Sequence, residues 1–328
     1  MSQRVLPRTG IAAVGILIAA MAASAAPLLT YTLTLATLGG AHVLYELRFV
    51  EARFSARLSY RLLAGIAALL GVIVVLRLLR ALGLWSGSDS VTVELIGVVG
   101  LAALTLPALA RASPVALITG LAVVGVVSAG LLISPIVTII ALACLHNWTP
   151  LGFLAEGLPR SERHRGRVLA AVAFVAVPML IASGLPGRLF GAAWHELTVL
   201  PTGGLADNLG AYIPAVFHHR DWAVSAFSAF VFAQSMHYAA VIGVLPRIAP
   251  GGKDAAAVVG LSRVPESGWM LGVVVLSALG LIGYILDFRE ARNWYAVIAA
   301  VHAWVEVPVL LLALVPGLEA AQRKHLEA

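Results

Sequence analysis

Gly39-Gly40-Ala41-His42-Val43-Leu44-Tyr45-Glu46-Leu47-Arg48 closes an apolar run that begins at Pro27. A histidine and a glutamate four residues apart share one face of a helix, one turn from each other. Within a segment long enough to span a bilayer, ionisable groups are costly and mark functional sites by default. The spacing returns near the other end of the chain, in Val301-His302-Ala303-Trp304-Val305-Glu306-Val307-Pro308. Between these two stretches, His146 and His237 interrupt apolar runs of their own. The chain reads as a helical scaffold that carries four intramembrane histidines.

The composition agrees. Of 328 residues, 60% are hydrophobic and only 12% charged, with a mean hydropathy of +0.95. A soluble domain carries about 25% charged residues. The expected fold is therefore all-α, a polytopic transmembrane helical bundle forming a single integral-membrane domain over residues 1–328. A plasma membrane, the inner membrane in a bacterium, is the expected location. The formal charge of +6 and the pI near 9.9 follow from Lys and Arg gathering in the loops of one side, as insertion favours. With no soluble basic domain, nucleic acid is not an expected partner. Cys144 is the one cysteine, so there is no intrachain disulfide and no cysteine-cluster metal site. It reads as a small core residue. No repeat of period 20–50, nucleotide-binding glycine motif or nucleophile elbow is present.

A span needs about 20 apolar residues, and ten segments approach or meet this: 10–25, 27–48, 60–83, 91–110, 114–132, 135–155, 167–185, 222–246, 267–286 and 294–316. The first also fits a secretory signal, because Arg4 and Arg8 precede it and Ala-Ser-Ala-Ala-Pro follows; we take it as a span. Ten spans with both termini cytoplasmic put sixteen of the 22 Lys and Arg inside, leaving Arg77, Arg80, Arg188, Arg220, Arg289 and Arg292 outside. That asymmetry is the positive-inside pattern. Residues 186–221 then form a long extracytoplasmic loop, expected to hold an interfacial helix or re-entrant lid.

In this topology the segments carrying His42, His146, His237 and His302 all run from outside to inside. At 1.5 Å per residue the four lie about 12 to 23 Å below the outer ends of their helices, within a core about 30 Å thick. Neighbouring helices would bring the imidazoles to one point. Such ligands suit iron, copper or zinc, and carboxylates shift the set toward iron or manganese. Glu46 and Glu306 are candidate ligands, or partners that fix the imidazole tautomers. Together with Tyr238 they are the candidate catalytic groups. Asn147, Gln234 and Ser235 are further polar neighbours, and Tyr45, Trp148 and Trp304 the candidate lining for an apolar substrate entering from the bilayer. A membrane histidine can also simply hydrogen-bond a neighbouring helix, and Glu46 with Arg48 can form an interfacial ion pair. His195, His218 and His219 read as loop residues, His164 and His325 as solvated cytoplasmic ones.

Taken in order, the histidine motifs resemble those of the Brp/Blh family of integral-membrane β-carotene 15,15'-dioxygenases. Gly-Gly-Ala-His42-Val-Leu-Tyr-Glu46 looks like that family's Gly-Leu-Pro-His-Gly-Ala-Leu-Asp, with glutamate for aspartate. Leu-His146-Asn-Trp resembles its second motif, Ser-Met-His237-Tyr its third, and Val-His302-Ala-Trp-Val-Glu306-Val-Pro its last. Val241 stands where the third motif has a second histidine. The resemblance implies an iron(II) site of histidines that oxygenates an apolar polyene with O₂.

The leading expectation is a His-ligated non-haem iron oxygenase acting on an apolar lipid or isoprenoid, with O₂ as co-substrate. A haem protein using two of the histidines as axial ligands is a second reading. A proton-coupled transporter using the His/Glu pairs is a third. Copper and zinc are the alternative metals.

Overall fold

A computed structural model describes residues 6, 7, 9–55, 58–85, 88–191, 194–248 and 260–313. Arg4, Arg8, Arg57, Lys253, Arg323 and Lys324, counted as cytoplasmic from the sequence, lie outside them, as do His325 and residues 314–316 of the last expected span. Helices account for the regular structure, and no strand occurs among the described residues.

In chain order the α-helices are α1 (Thr9–Ala25), α2 (Pro27–Phe54), α3 (Tyr60–Ala81), α4 (Ser88–Ala103), α5 (Leu106–Ala112), α6 (Pro114–Ile133), α7 (Pro135–His146) and α8 (Thr149–Gly157). They continue as α9 (Arg163–Ala171), α10 (Val177–Ala182), α11 (Leu185–Phe190), α12 (Leu205–Asn208), α13 (Ala223–Gly243), α14 (Leu245–Ile248), α15 (Glu266–Leu286) and α16 (Phe288–Ala313). Counting broken helices as one, eight segments among the described residues are long and apolar enough to cross a membrane. They are 60–81, 89–112, 114–133, 135–157, 160–182, 223–243, 266–286 and 288–313.

The two other expected spans are also helical but differ in kind. α1 has 17 residues, about 25 Å of helix, which is short for a hydrocarbon core of about 30 Å. α2 has 28 residues and is more polar than the eight. Its threonines nevertheless fit an apolar setting, because Thr30, Thr32, Thr34 and Thr37 each donate to the carbonyl four residues back.

Contacts divide the chain into two compact units. Unit 1 holds residues up to Tyr45, Ile140–Ile248 and Glu266–Arg292; unit 2 holds Glu46–Ile139, residues 249–265 and residues from 293 onward. In unit 1, α13 packs against both α1 and α10, and its buried side includes Phe227, Val231, Phe232 and His237. Edge-to-face contacts join Tyr31 to Tyr212, Phe227 and Phe288 at centroid distances of 6.0, 5.6 and 6.4 Å. Aromatic area and geometry both stabilise such a cluster.

In unit 2, α4 packs against α3 and α6, and α5 packs against α6. Helix starts follow from capping. Ser59 Oγ accepts from Leu62 N at α3, and Ser113 Oγ accepts from Ala116 N just before Pro114 opens α6. α6 and α7 approach closely at Gly130, where a Cβ would lie 2.6 Å from Thr138 Oγ1. Only a residue without a side chain fits that contact.

One expected boundary moves in a way that matters. α16 begins at Phe288, six residues before the expected 294. His302 is then about 21 Å along its helix rather than 12 Å.

Candidate metal centre

Three of the four histidines belong to unit 1 and lie together there. His42 comes from α2, His146 ends α7, and His237 faces inward from α13. His237 is the middle ring, with its centroid 5.3 Å from that of His42 and 4.6 Å from that of His146. Each offers a ring nitrogen, and these nitrogens lie within 4.8 Å of one another. His42 and His237 are buried, and His146 is half-buried. Imidazole nitrogens sit about 2.0–2.1 Å from a bound Zn²⁺, so two ligands of one ion are at most about 4.2 Å apart. The observed spread exceeds that limit by about 0.6 Å, a gap that small rotamer adjustments close.

Tyr238 stacks on His42, with centroids 4.1 Å apart and planes 30° apart, and is itself buried. The sequence placed Tyr238 at the site, and the structure puts its ring against a candidate ligand. His302 is carried by unit 2, buried on α16, with buried Glu306 one turn further on. Glu46, one turn beyond His42 on α2, begins unit 2 and is also buried. Arg48 donates from Nη2 to the Val264 carbonyl at 2.9 Å.

The expected lining aromatics have structural partners. Trp148 Nε1 donates to the Phe174 carbonyl at 2.6 Å. That carbonyl needs a donor because Pro178, four residues on, has no N–H to offer it. The same defect produces the π-helical turn Val172–Ala176, where Val177 N bonds Val172 O. Trp148 therefore repairs a proline break. Trp148→Phe leaves a buried carbonyl unsatisfied and is expected to cost about 1–3 kcal/mol of stability, checked by thermal unfolding in detergent with metal content unchanged. Tyr45 donates to Met270 Sδ at 2.7 Å and meets Trp269 edge-on. Trp304, in unit 2, donates from Nε1 to Glu94 Oε1 at 2.8 Å.

Two arrangements escaped the sequence reading. The first is a chain of hydrogen bonds beside the histidines. The Tyr212 hydroxyl donates to Gln234 Oε1, Gln234 Nε2 donates to Thr34 Oγ1 at 3.0 Å, and Thr34 donates to the Thr30 carbonyl at 2.7 Å. Gln234 lies one turn before His237, and Thr34 two turns before His42, so the chain fixes the rotation of α13 relative to α2 within unit 1. Gln234 was a candidate neighbour from sequence; Tyr212, inside the long loop, was not. Burial pushes the Tyr212 phenol well above its ordinary range, reinforced by Tyr238 and Tyr31, so it remains a donor. Ser235, by contrast, spends its hydroxyl on Val231 O of its own helix.

The second is an ion pair in unit 2. Arg77, counted from sequence among the outer charges, lies within α3 and donates from Nε and Nη2 to Glu94 Oε1 at 2.9 and 2.7 Å. Its Nη1 bonds the Ala296 carbonyl at 2.7 Å. Glu94 is a carboxylate inside an apolar span, more than a turn from Asp89 at its start, and such a group is itself a signal for function or pairing.

Residues 186–221, the expected long loop, hold short helical pieces among the described residues. Apart from the undescribed 192–193 they comprise the rest of α11, α12 and short 3₁₀ turns at Leu209–Ala211 and Ala215–Phe217. Tyr212 is inserted into the aromatic core, Cys144 Sγ contacts its carbonyl at 3.6 Å, and His218 Nε2 bonds the Ile213 carbonyl at 2.8 Å. Cys144 is buried, as expected of a small core residue.

Fold and site together define an all-helical protein with membrane-crossing helices and a buried histidine cluster that could hold a metal ion. No protein-family model, characterised protein or solved structure matches the chain.

Proposed function

We propose that the chain is an integral-membrane metalloprotein whose metal is held by His42, His146 and His237, and that it acts as an iron(II)-dependent oxygenase on an apolar lipid or isoprenoid. The observation that carries the reading is three imidazoles from three helices converging in one compact unit. His302 would be a fourth ligand, and the chain would cross the membrane ten times with both termini cytoplasmic. Glu46 and Glu306 stay as carboxylates in reserve for the metal or for orienting imidazole N–H groups.

Direct contact between the rings favours a compact ion over haem. A porphyrin plane inserted between two axial imidazoles holds the rings apart, and the His146–His237 centroid distance is 4.6 Å. The bound metal would supply an open coordination position at which O₂ is activated. The chain's own residues do the rest: the apolar surroundings exclude water, and Tyr238 holds the His42 ring by stacking while its hydroxyl serves as a proton donor.

The deciding experiment is elemental analysis with an absorption spectrum on detergent-purified protein grown with added iron. About one iron per chain and no Soret band is the expected result. A Soret band would replace this reading with a haem protein. Metal at background level would leave the histidines as proton carriers and redirect work to transport. In the same assay His302→Ala is expected to lower the metal content.

A further inference from the structure

Unit 1 contains a second concave site, distant in kind from the histidines. A cavity of about 500 Å³ opens where α1 and α10 end and α13 begins. Ser24, Arg188, His195, Asp221, Ser225 and Ser228 give it its polar lining. α11 carries Arg188 and is bracketed by Gly184 and Gly191, at φ 75° and 74°, a backbone state that side chains rarely adopt.

Three features describe what would fill it. Ser24 lines the cavity, is only 2% exposed, and its Oγ has no hydrogen-bond partner among the described residues. A buried hydroxyl without a partner is expensive, so a polar ligand group belongs there. Ser225 and Ser228 donate their protons to Trp222 O and Val224 O, which leaves only oxygen acceptors toward the cavity. Arg188 and Asp221 line the same space with opposite charges and are not ion-paired to any described residue. The lining therefore asks for an anion at Arg188 and an N–H-bearing cation at Asp221 and the serine oxygens.

We infer that this cavity binds the headgroup of a zwitterionic phospholipid bearing a primary ammonium, with phosphate toward Arg188 and ammonium toward Asp221. The cavity lies at the ends of membrane-crossing helices, where headgroups are found, and its remaining wall includes Ile181, Trp222 and Val224, which suit the glycerol backbone. The shared chemistry, a phosphate and an ammonium on one small group, is also offered by the free headgroup in water.

The test is native mass spectrometry of the full-length protein in detergent, with phosphatidylethanolamine, phosphatidylcholine and phosphatidylglycerol of matched chains. Phosphatidylethanolamine is expected to be retained about tenfold over the other two. One lacks N–H donors and the other lacks the cation, and a charge-assisted hydrogen bond is worth at least that factor. Arg188→Gln, Asp221→Asn and Ser24→Ala should each lower retention of that lipid by a similar factor. Equal binding of the three lipids, or variants that bind like the parent, overturns the proposal. Glycerophosphoethanolamine competing as well as the intact lipid would keep the headgroup chemistry and overturn the lipid as its source. Metal content is read on the same variants and is expected to stay constant, so this site and the histidine site fail or stand separately.

Discussion

Replacing His237 by alanine is expected to strip the purified protein of its metal. His237 is the middle ring of the three, in contact with both His42 and His146. Its loss leaves two imidazoles that no longer share a neighbour. Removing an outer partner of a metal ligand costs about 10–100-fold in affinity, and loss of a ligand itself should exceed the upper end of that range. His237 is fully buried, so the alanine variant also leaves a void. His237→Gln keeps most of the volume and separates the two effects: it should fold like the parent and still lack metal. Parent-level metal in both variants would sink the proposed centre. His42→Ala and His146→Ala should follow His237→Ala in direction.

The second large effect is expected at Arg77. In Arg77→Met, Glu94 keeps only Trp304 as donor and becomes a buried carboxylate without its cation. Breaking a buried pair from one side costs about 3–5 kcal/mol, because the remaining charge cannot return to water. The ion pair also ties α3 to α4, while the Ala296 and Trp304 contacts tie both to α16. A sharp drop in thermal stability and in yield from membranes is the expected result. Trp304→Phe removes a single donor and should cost about 1–3 kcal/mol. Arg77→Met combined with Glu94→Leu should recover much of the loss, since replacing both partners with apolar groups is often neutral or better. A single variant as stable as the parent would show that water or lipid headgroups reach Glu94. The exposed Arg289–Asp207 pair, at 3.3 Å, makes a useful contrast: its removal should change stability by no more than about 1 kcal/mol.

Much of the architecture was legible because membrane insertion reads the chain one segment at a time. Length and apolarity alone mark α3, α6, α13 and α15, and their bounds fall within a few residues of expectation. The start of α16 was hidden for a physical reason. Its first turns carry Arg289, Glu290 and Arg292, which resemble a loop in sequence but sit on a helix end where long side chains reach water. The inward contacts of the long connection at 186–221 are hidden for a related reason. Its polarity and glycines announce an irregular segment, yet nothing local says that Tyr212 turns inward to Gln234 and Tyr31.

Among the site residues, His42, His146 and His237 were visible because a histidine in an apolar run stands out against its neighbours. Trp148, Tyr45 and Trp304 were read as substrate lining on proximity to histidines in sequence. Each donates its polar hydrogen to a protein partner, and the acceptor of Trp148 is the Phe174 carbonyl, which Pro178 leaves without a backbone donor.

By itself, the sequence determined an all-helical membrane protein and the four histidines worth testing, because burial in lipid constrains each segment independently of its neighbours. Only the tertiary structure decided that three of the imidazoles meet, that Glu94 is held by Arg77, and that opposed charges flank a cavity beside Ser24. Those facts depend on which helices pack together and how each is rotated. Rotation is set by pairwise contacts such as Gln234 with Thr34, between residues 200 positions apart in the chain.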